Sequence, residues 1–106
     1  MADKWYSNGL TAEEAEKLHK SYAKIKKPIY GITDRDVLAL SFVLHFEDST
    51  GTDFQLTSQE DIKELLIRTK SFEISRLDGR IVEAFRDGNG GLSSLLKGLS
   101  VNENLI

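Results

Sequence analysis

The chain has 106 residues, 40% hydrophobic and 29% charged, with a net charge of −3. This length makes one domain, 1–106, with a single core, and the mild acidity argues against a general nucleic-acid binder, which carries a basic excess. Cysteine is absent, which excludes disulfides and thiolate metal sites. No stretch approaches the roughly 20 apolar residues that span a bilayer.

In chain order, Met1-Ala2-Asp3-Lys4-Trp5 shows no apolar run behind a basic patch, so no signal peptide is expected and the cytoplasm is the default compartment. Trp5 and Tyr6 come next. They either pack back on the core or anchor a partner, since such aromatics are enriched at interface hot spots. The first predicted element is a helix. Thr11-Ala12-Glu13-Glu14 is a capping box, in which Thr11 accepts from a free helix N–H and Glu14 reaches back to the cap residue. Ala15, Leu18, Tyr22 and Ile25 recur at helical spacing, while Lys17, Lys20, Lys24 and Lys27 share the opposite side. Glu13 and Glu16 stand one turn before Lys17 and Lys20 as i,i+4 pairs. Pro28 ends the pattern, because the residue before a proline is pushed out of the α region. Residues 1–28 therefore read as an N-terminal helical extension of an α+β core over 29–101.

Ile29-Tyr30-Gly31-Ile32 reads as a short strand and Thr33-Asp34-Arg35-Asp36 as a turn. The strongest strand runs from Val37 to Glu47. Leu38, Leu40, Phe42, Leu44 and Phe46 alternate with lighter residues and should face the core. Turn chemistry at Asp48-Ser49-Thr50-Gly51-Thr52 leads into a return strand at Asp53-Phe54-Gln55-Leu56. Thr57-Ser58-Gln59-Glu60 caps a helix to about Lys70, with Ile62, Leu65, Leu66 and Thr69 inward. Ile67 falls off that face, as a second contact or an exposed residue. Leu77-Asp78-Gly79 turns into a strand from Arg80 to Arg86, and a last strand runs from Leu95 to Val101. The order predicts an α+β fold: an N-terminal helix, a small antiparallel sheet of four or five strands, and one further helix packed on it.

Chemistry is sparse. Arg86-Asp87-Gly88-Asn89-Gly90-Gly91-Leu92 suggests either a hairpin loop or a cradle for an anion. No Gly-x-Gly-x-x-Gly follows the first strand, no Gly-Lys-Ser/Thr is present, and Gly98 interrupts the segment downstream, so a hairpin loop is the reading. His19 and His45 lie on different elements without ligand spacing. Asp34, Asp36, Asp48 and Asp53 do not reach the EF-hand pattern, so no metal or other cofactor is expected. There is no nucleophile elbow and no legible His–carboxylate arrangement, so no catalytic residue is nominated. The lysines from Lys17 to Lys27 are either a solvated helix face or a surface for an acidic partner. Phe54 and Phe85 have the ring faces to stack a base, with Arg80 or Arg86 to meet phosphate.

The run "YGITDRDVLALSFVLHFEDSTGTDFQL", the helix "IKELLIR" and then "LDGRIVEAFRDGNGGL" resemble the small phage proteins that counter the Thoeris defence system by sequestering its cyclic ADP-ribose signal. The resemblance covers about residues 29 to 101. It is carried by Gly31, Ile32, Leu44, Gly51, Phe54, Leu77, Gly79, Arg80, Val82 and Arg86. The chain departs from that family where Phe54-Gln55-Leu56 replaces a Phe-Gly-Gly run, and in a tail, Asn102 to Ile106, without tryptophan. The resemblance implies a non-enzymatic phage or prophage accessory protein that forms a homo-oligomer and binds a nucleotide or a host protein. Its sharper form is a pocket in which Phe54 stacks a cyclic nucleotide and Arg80 or Arg86 meets the phosphate. The alternative is a protein-interaction module that inhibits a host protein or serves in a virion, with Trp5, Tyr6, Lys20, Lys24 and Ile67 as its contacts.

Overall fold

The alternation of Leu40, Phe42, Leu44 and Phe46 sets the fold. These residues are buried in β2 (Leu38–Phe46) and face the same side as the apolar residues of its neighbours. The computed structural model of the chain describes residues 4–47, 49–87 and 96–102. A short helix α1 (Ala12–Glu16) precedes the sheet, which is built from β1 (His19–Ile32), β2, β3 (Gly51–Leu56), β4 (Ile81–Arg86) and β5 (Leu96–Ser100). The order across it is β3-β2-β1-β4-β5, with every neighbouring pair antiparallel. The sheet curls into a half-barrel. The longer helix among the described residues, α2 (Gln59–Arg68), lays Ile62 and Leu65 against its apolar face. This is the expected α+β fold, with the helix–strand boundary moved near the N-terminus.

The expected helix over the first 28 residues is mostly strand. The capping box is present: the Glu14 N–H donates to Thr11 Oγ1 at 3.1 Å and the Thr11 N–H to Glu14 Oε1 at 3.1 Å. The helix it starts stops at Glu16, however, and β1 takes the chain to Ile32 as the central strand of the sheet. The same run of residues fits a period of two. Ala23 and Ile25 are buried on the helix side, while Lys20, Tyr22 and Lys24 are exposed on the outer face. A lone amphipathic helix buries one stripe. A strand flanked by β2 and β4 gains backbone bonds on both edges as well as burial, and that tertiary gain overrides helical periodicity. The lysines thus line a strand. Lys20 cannot pair with Glu16 as a helical neighbour.

Pro28 marks a bulge, not a helix end. The register runs Lys26↔Val43 and then Ile29↔Ser41, so Lys27 and Pro28 together stand opposite Phe42. Lys27 takes a φ of 53°, and its N–H donates to Asp78 Oδ1 at 3.2 Å. A bulge is one of the few places where a sheet accepts a residue with no N–H. The short strand predicted at Ile29–Ile32 is the second half of β1.

Ser58 caps α2 by accepting from the Asp61 N–H at 3.4 Å. β4 and β5 pair antiparallel, as expected of two strands flanking a hairpin loop. The Gly-rich loop itself, from Gly88 on, lies outside the described residues, as do Asp48 and Leu95.

The N-terminal residues close the far edge of β5. Tyr6 forms a bridge with Ser100, Ser7 Oγ accepts from the Leu99 N–H at 2.8 Å, and Ser100 Oγ donates to the Trp5 carbonyl at 2.6 Å. Gly98 permits this closure, because a Cβ there would lie 2.9 Å from the Ser7 carbonyl oxygen. Gly98→Ala should therefore lower the unfolding free energy by about 1–3 kcal/mol, the usual cost of overpacking against backbone. Urea denaturation followed by circular dichroism measures the loss.

Candidate functional site

The residues nominated for a nucleotide do not form one pocket. Phe54 is buried at 9% exposure, with its ring 5.9 Å from that of Phe42 in the core. Arg80 stands just before β4 and Arg86 ends it, six residues apart, or roughly 20 Å along a strand. Each has a local role. Arg80 Nε donates to Ser71 Oγ at 3.2 Å. The Arg86 guanidinium lies 3.7 Å from the centre of the Phe46 ring, a cation–π contact that covers an apolar rim. Phe85 faces the opposite side of the sheet, under Tyr6, with ring centres 5.5 Å apart.

Trp5 and Tyr6 both pack on the protein. Trp5 is half-buried against the core, and its Nε1 donates to Asp61 Oδ1 at 3.3 Å, while the Asn8 N–H donates to Asp61 Oδ2 at 2.9 Å. One carboxylate at the start of α2 therefore ties down the N-terminal segment. The outer face supplies a second tie. Glu83 is buried at 1% exposure, with Lys4 Nζ 2.7 Å from Oε1 and Lys20 Nζ 3.4 Å from Oε2. The Glu83 carboxylate holds the Lys20 ammonium above the ordinary lysine range. Lys20 also sits over the Tyr22 ring at 5.5 Å. Of the predicted partner contacts, Lys24 and Ile67 are left open.

Lys24 belongs to a cleft on the outer face. Tyr22, Lys24, Lys26, His45, Glu47 and Ile81 line a space of about 480 Å³. It combines an aromatic ring with cations, though Glu47 opposes them. Among the described residues no group of three or more His, Asp or Glu is placed to hold a metal, and no helix is long and apolar enough to cross a membrane.

A second space, about 440 Å³, runs between α2 and the far half of β1. Tyr30, Ile62, Leu66, Ile67, Phe72 and Ile74 supply its apolar walls, with Gln59 and Lys63 at the rim. Tyr30 Oη donates to Gln59 Oε1 at 2.7 Å, fixing one wall to the helix N-terminus. The other wall is made by the chain leaving α2. Lys70 takes a φ of 57°, and the N–H groups of Ser71 and Phe72 both donate to the Leu66 carbonyl, at 3.0 and 3.2 Å. Thr69 and Ser71 are fully buried with their hydroxyl oxygens 2.9 Å apart. With Ser71 held inward by Arg80, Phe72 is thrown out at 67% exposure with a φ of 61°. That conformation is an outlier for a bulky residue and costs about 1–3 kcal/mol.

Sequence reasoning flagged Ile67 as lying off the buried face but missed Phe72, Tyr30 and Ile74. Phe72 follows the predicted helix, and no periodic signal reaches it. Comparison with protein-family models, with curated proteins and with solved structures finds no match to this chain.

Glu83→Gln should lower stability at pH 7 by about 1–3 kcal/mol. That is less than breaking a fully buried pair, because Lys4 and Lys20 stay half in water. The folded Lys20 pKa is raised, so its contribution is complete below the ordinary lysine range, near pH 10.4, and fades as pH climbs through the folded value. Urea titrations in steps above pH 10 should show that alkaline loss in the wild type and a flatter profile in the variant.

Proposed function

We propose that this protein works by binding and not by chemistry, and that the groove between α2 and β1 seats an apolar segment of a partner protein. The observation that carries this reading is Phe72. A bulky aromatic side chain is held in water by a strained backbone, at the rim of a groove that already exposes Tyr30 and Ile67. Strain of this kind concentrates where function requires it, and exposed apolar surface rimmed by polar groups is the usual mark of an interaction site. Lys63 at the rim favours an acidic residue beside the apolar anchor. With the resemblance to phage anti-defence proteins, this supports an accessory protein of the host cytoplasm that restrains a host protein by occupying one of its surfaces.

A nucleotide ligand is the second reading, and the outer-face cleft is what favours it. Its volume lies within the range of small-molecule sites. Tyr22 offers a ring to a base, Lys24 and Lys26 offer cations to phosphate, and His45 offers a ring nitrogen for a hydrogen bond. On this reading the cyclic nucleotide implied by the resemblance would meet residues other than Phe54, Arg80 and Arg86.

Peptide display against the immobilised protein tests the first reading. Enriched peptides should carry an aromatic or aliphatic anchor beside an acid, and should lose binding to Phe72→Gly and to Ile67→Ser. Phe72→Gly should leave stability unchanged or raise it by up to about 1 kcal/mol, because glycine relieves the positive φ. Failure to enrich any peptide, or enrichment indifferent to both substitutions, overturns the groove reading. A thermal shift with millimolar cyclic nucleotide, lost in Lys24→Glu, would put the nucleotide reading in its place.

A further inference from the structure

Three of the strand edges in the described sheet are treated differently. The outer edge of β5 is covered by the Tyr6–Ser100 bridge and the Ser7 contact. The edge of β3 is lined with Thr52, Asp53 and Gln55, all exposed, and a charged, polar edge discourages pairing. The third stretch is the second half of β1. β4 pairs with β1 only as far as Lys24, and Ile25 is bonded to Gly79 and Arg80. Beyond the bulge, among the described residues, no strand lies against β1 on that side.

The backbone there is aimed outward. The Thr33 N–H donates to the Val37 carbonyl at 2.8 Å, and the register continues Ile32↔Leu38, Gly31↔Ala39, Tyr30↔Leu40. Antiparallel pairs alternate between bonded and non-bonded. Gly31 is therefore bonded to β2, while Tyr30 and Ile32 turn their N–H and C=O groups to the open side. The segment Pro28-Ile29-Tyr30-Gly31-Ile32 carries no charge, and Ile29 and Ile32 are 67% and 65% exposed.

We propose that this edge pairs with the same edge of a second copy of the chain, antiparallel, about a two-fold axis through Gly31. In that register Tyr30 of one copy meets Ile32 of the other, twice over, using all the outward groups of both residues. The two Gly31 residues form the non-bonded pair on the axis, where Cα atoms approach to about 4.5 Å. Nothing lies within 4 Å of a Cβ built at Gly31, so the site is open for that approach. Charge also fits the antiparallel sense. The end of β1 that carries Lys24, Lys26 and Lys27 in one copy approaches the turn that carries Asp34 and Asp36 in the other, whereas parallel pairing would set the lysine-rich ends together. The two five-stranded sheets become one, with both grooves on the same side. The inference rests on the backbone edge and not on what fills the groove.

The absence of cysteine gives a direct test of the register. In the full chain carrying Gly31→Cys, mild oxidation should join two copies across the axis, because the Cα separation falls in the disulfide range. At ~10 μM protein it should do so on the order of 100-fold faster than Ser75→Cys at an exposed position, the ratio of a millimolar effective concentration to the bulk one. In sedimentation velocity the wild type should show twice the 11.9 kDa chain mass. Ile32→Asp should return it to the chain mass with an unchanged circular dichroism spectrum. Lys26→Glu and Asp36→Lys should each weaken the dimer several-fold, and the double variant should recover it. Equal oxidation rates at positions 31 and 75, or a dimer indifferent to Ile32→Asp, overturns the proposal. The peptide-display outcome is independent of these results, since Phe72 and Ile67 take no part in the pairing.

Discussion

One strand with two sets of partners holds this protein together. The first half of β1 pairs with β4, the second half with β2, and only Ala23 and Lys24 pair with both. The bulge at Lys27 and Pro28 lets one strand serve in both places. It adds a residue against Phe42, reverses which backbone groups face which side, and strengthens the local twist. Its geometry is held from outside by Asp78, which accepts the Lys27 N–H, and by the bonds of Ile25 to Gly79 and Arg80. The turn from Leu77 to Arg80 thus secures the bulge as well as entering β4. Leu77, buried at 0% exposure, anchors that turn in the same core as Ile25 and Leu65.

Arg80, Arg86 and Lys20, which resemble ligand contacts in the sequence, are engaged within the fold, as are the carboxylates of Asp61 and Glu83. Arg80 supports Ser71, Arg86 covers Phe46, Asp61 holds Trp5 and Asn8, and Glu83 holds Lys4 and Lys20. The common reason is the size of the chain. A domain of this length has little core to spare, and its N-terminal segment has few apolar residues with which to dock. Polar and ionic ties at Asp61, Ser7 and Glu83 do that work where burial alone would be weak. They also close the β5 edge, which would otherwise present unpaired backbone to other chains.

The strain at Phe72 stands out against that economy. Thr69, Ser71 and Arg80 form a buried polar cluster that fixes the exit of α2, and its effect is to expose the ring. A glycine would meet the same backbone conformation without cost. An aromatic in place of glycine there is the observation on which the proposed partner groove rests. The groove it borders and the uncharged edge of β1 adjoin through Tyr30, whose side chain lines the one while its backbone belongs to the other.

The class of fold and most of its parts can be read from local residue patterns. The alternation in β2, the return strand with Phe54, the cap at Ser58 and the inward set of α2 are local patterns, readable because each element buries a face whose period is its own. The capping box at Thr11 was also legible. The helix it announced was not limited by anything local, since residues 17–27 satisfy helical and strand periods alike, and Pro28 suits both a helix end and a bulge. The choice between them rests on long-range pairing, because β2 and β4 offer partners on the two edges of β1. The candidate site was less legible for the same reason. Ile67 stood out as an apolar residue off its helix face, but Tyr30, Phe72 and Ile74 come from separate segments that no sequence period connects. They share a groove only because the bulge sends the second half of β1 past the end of α2, and because Ser71, buried beside Thr69, leaves Phe72 no way to turn but outward.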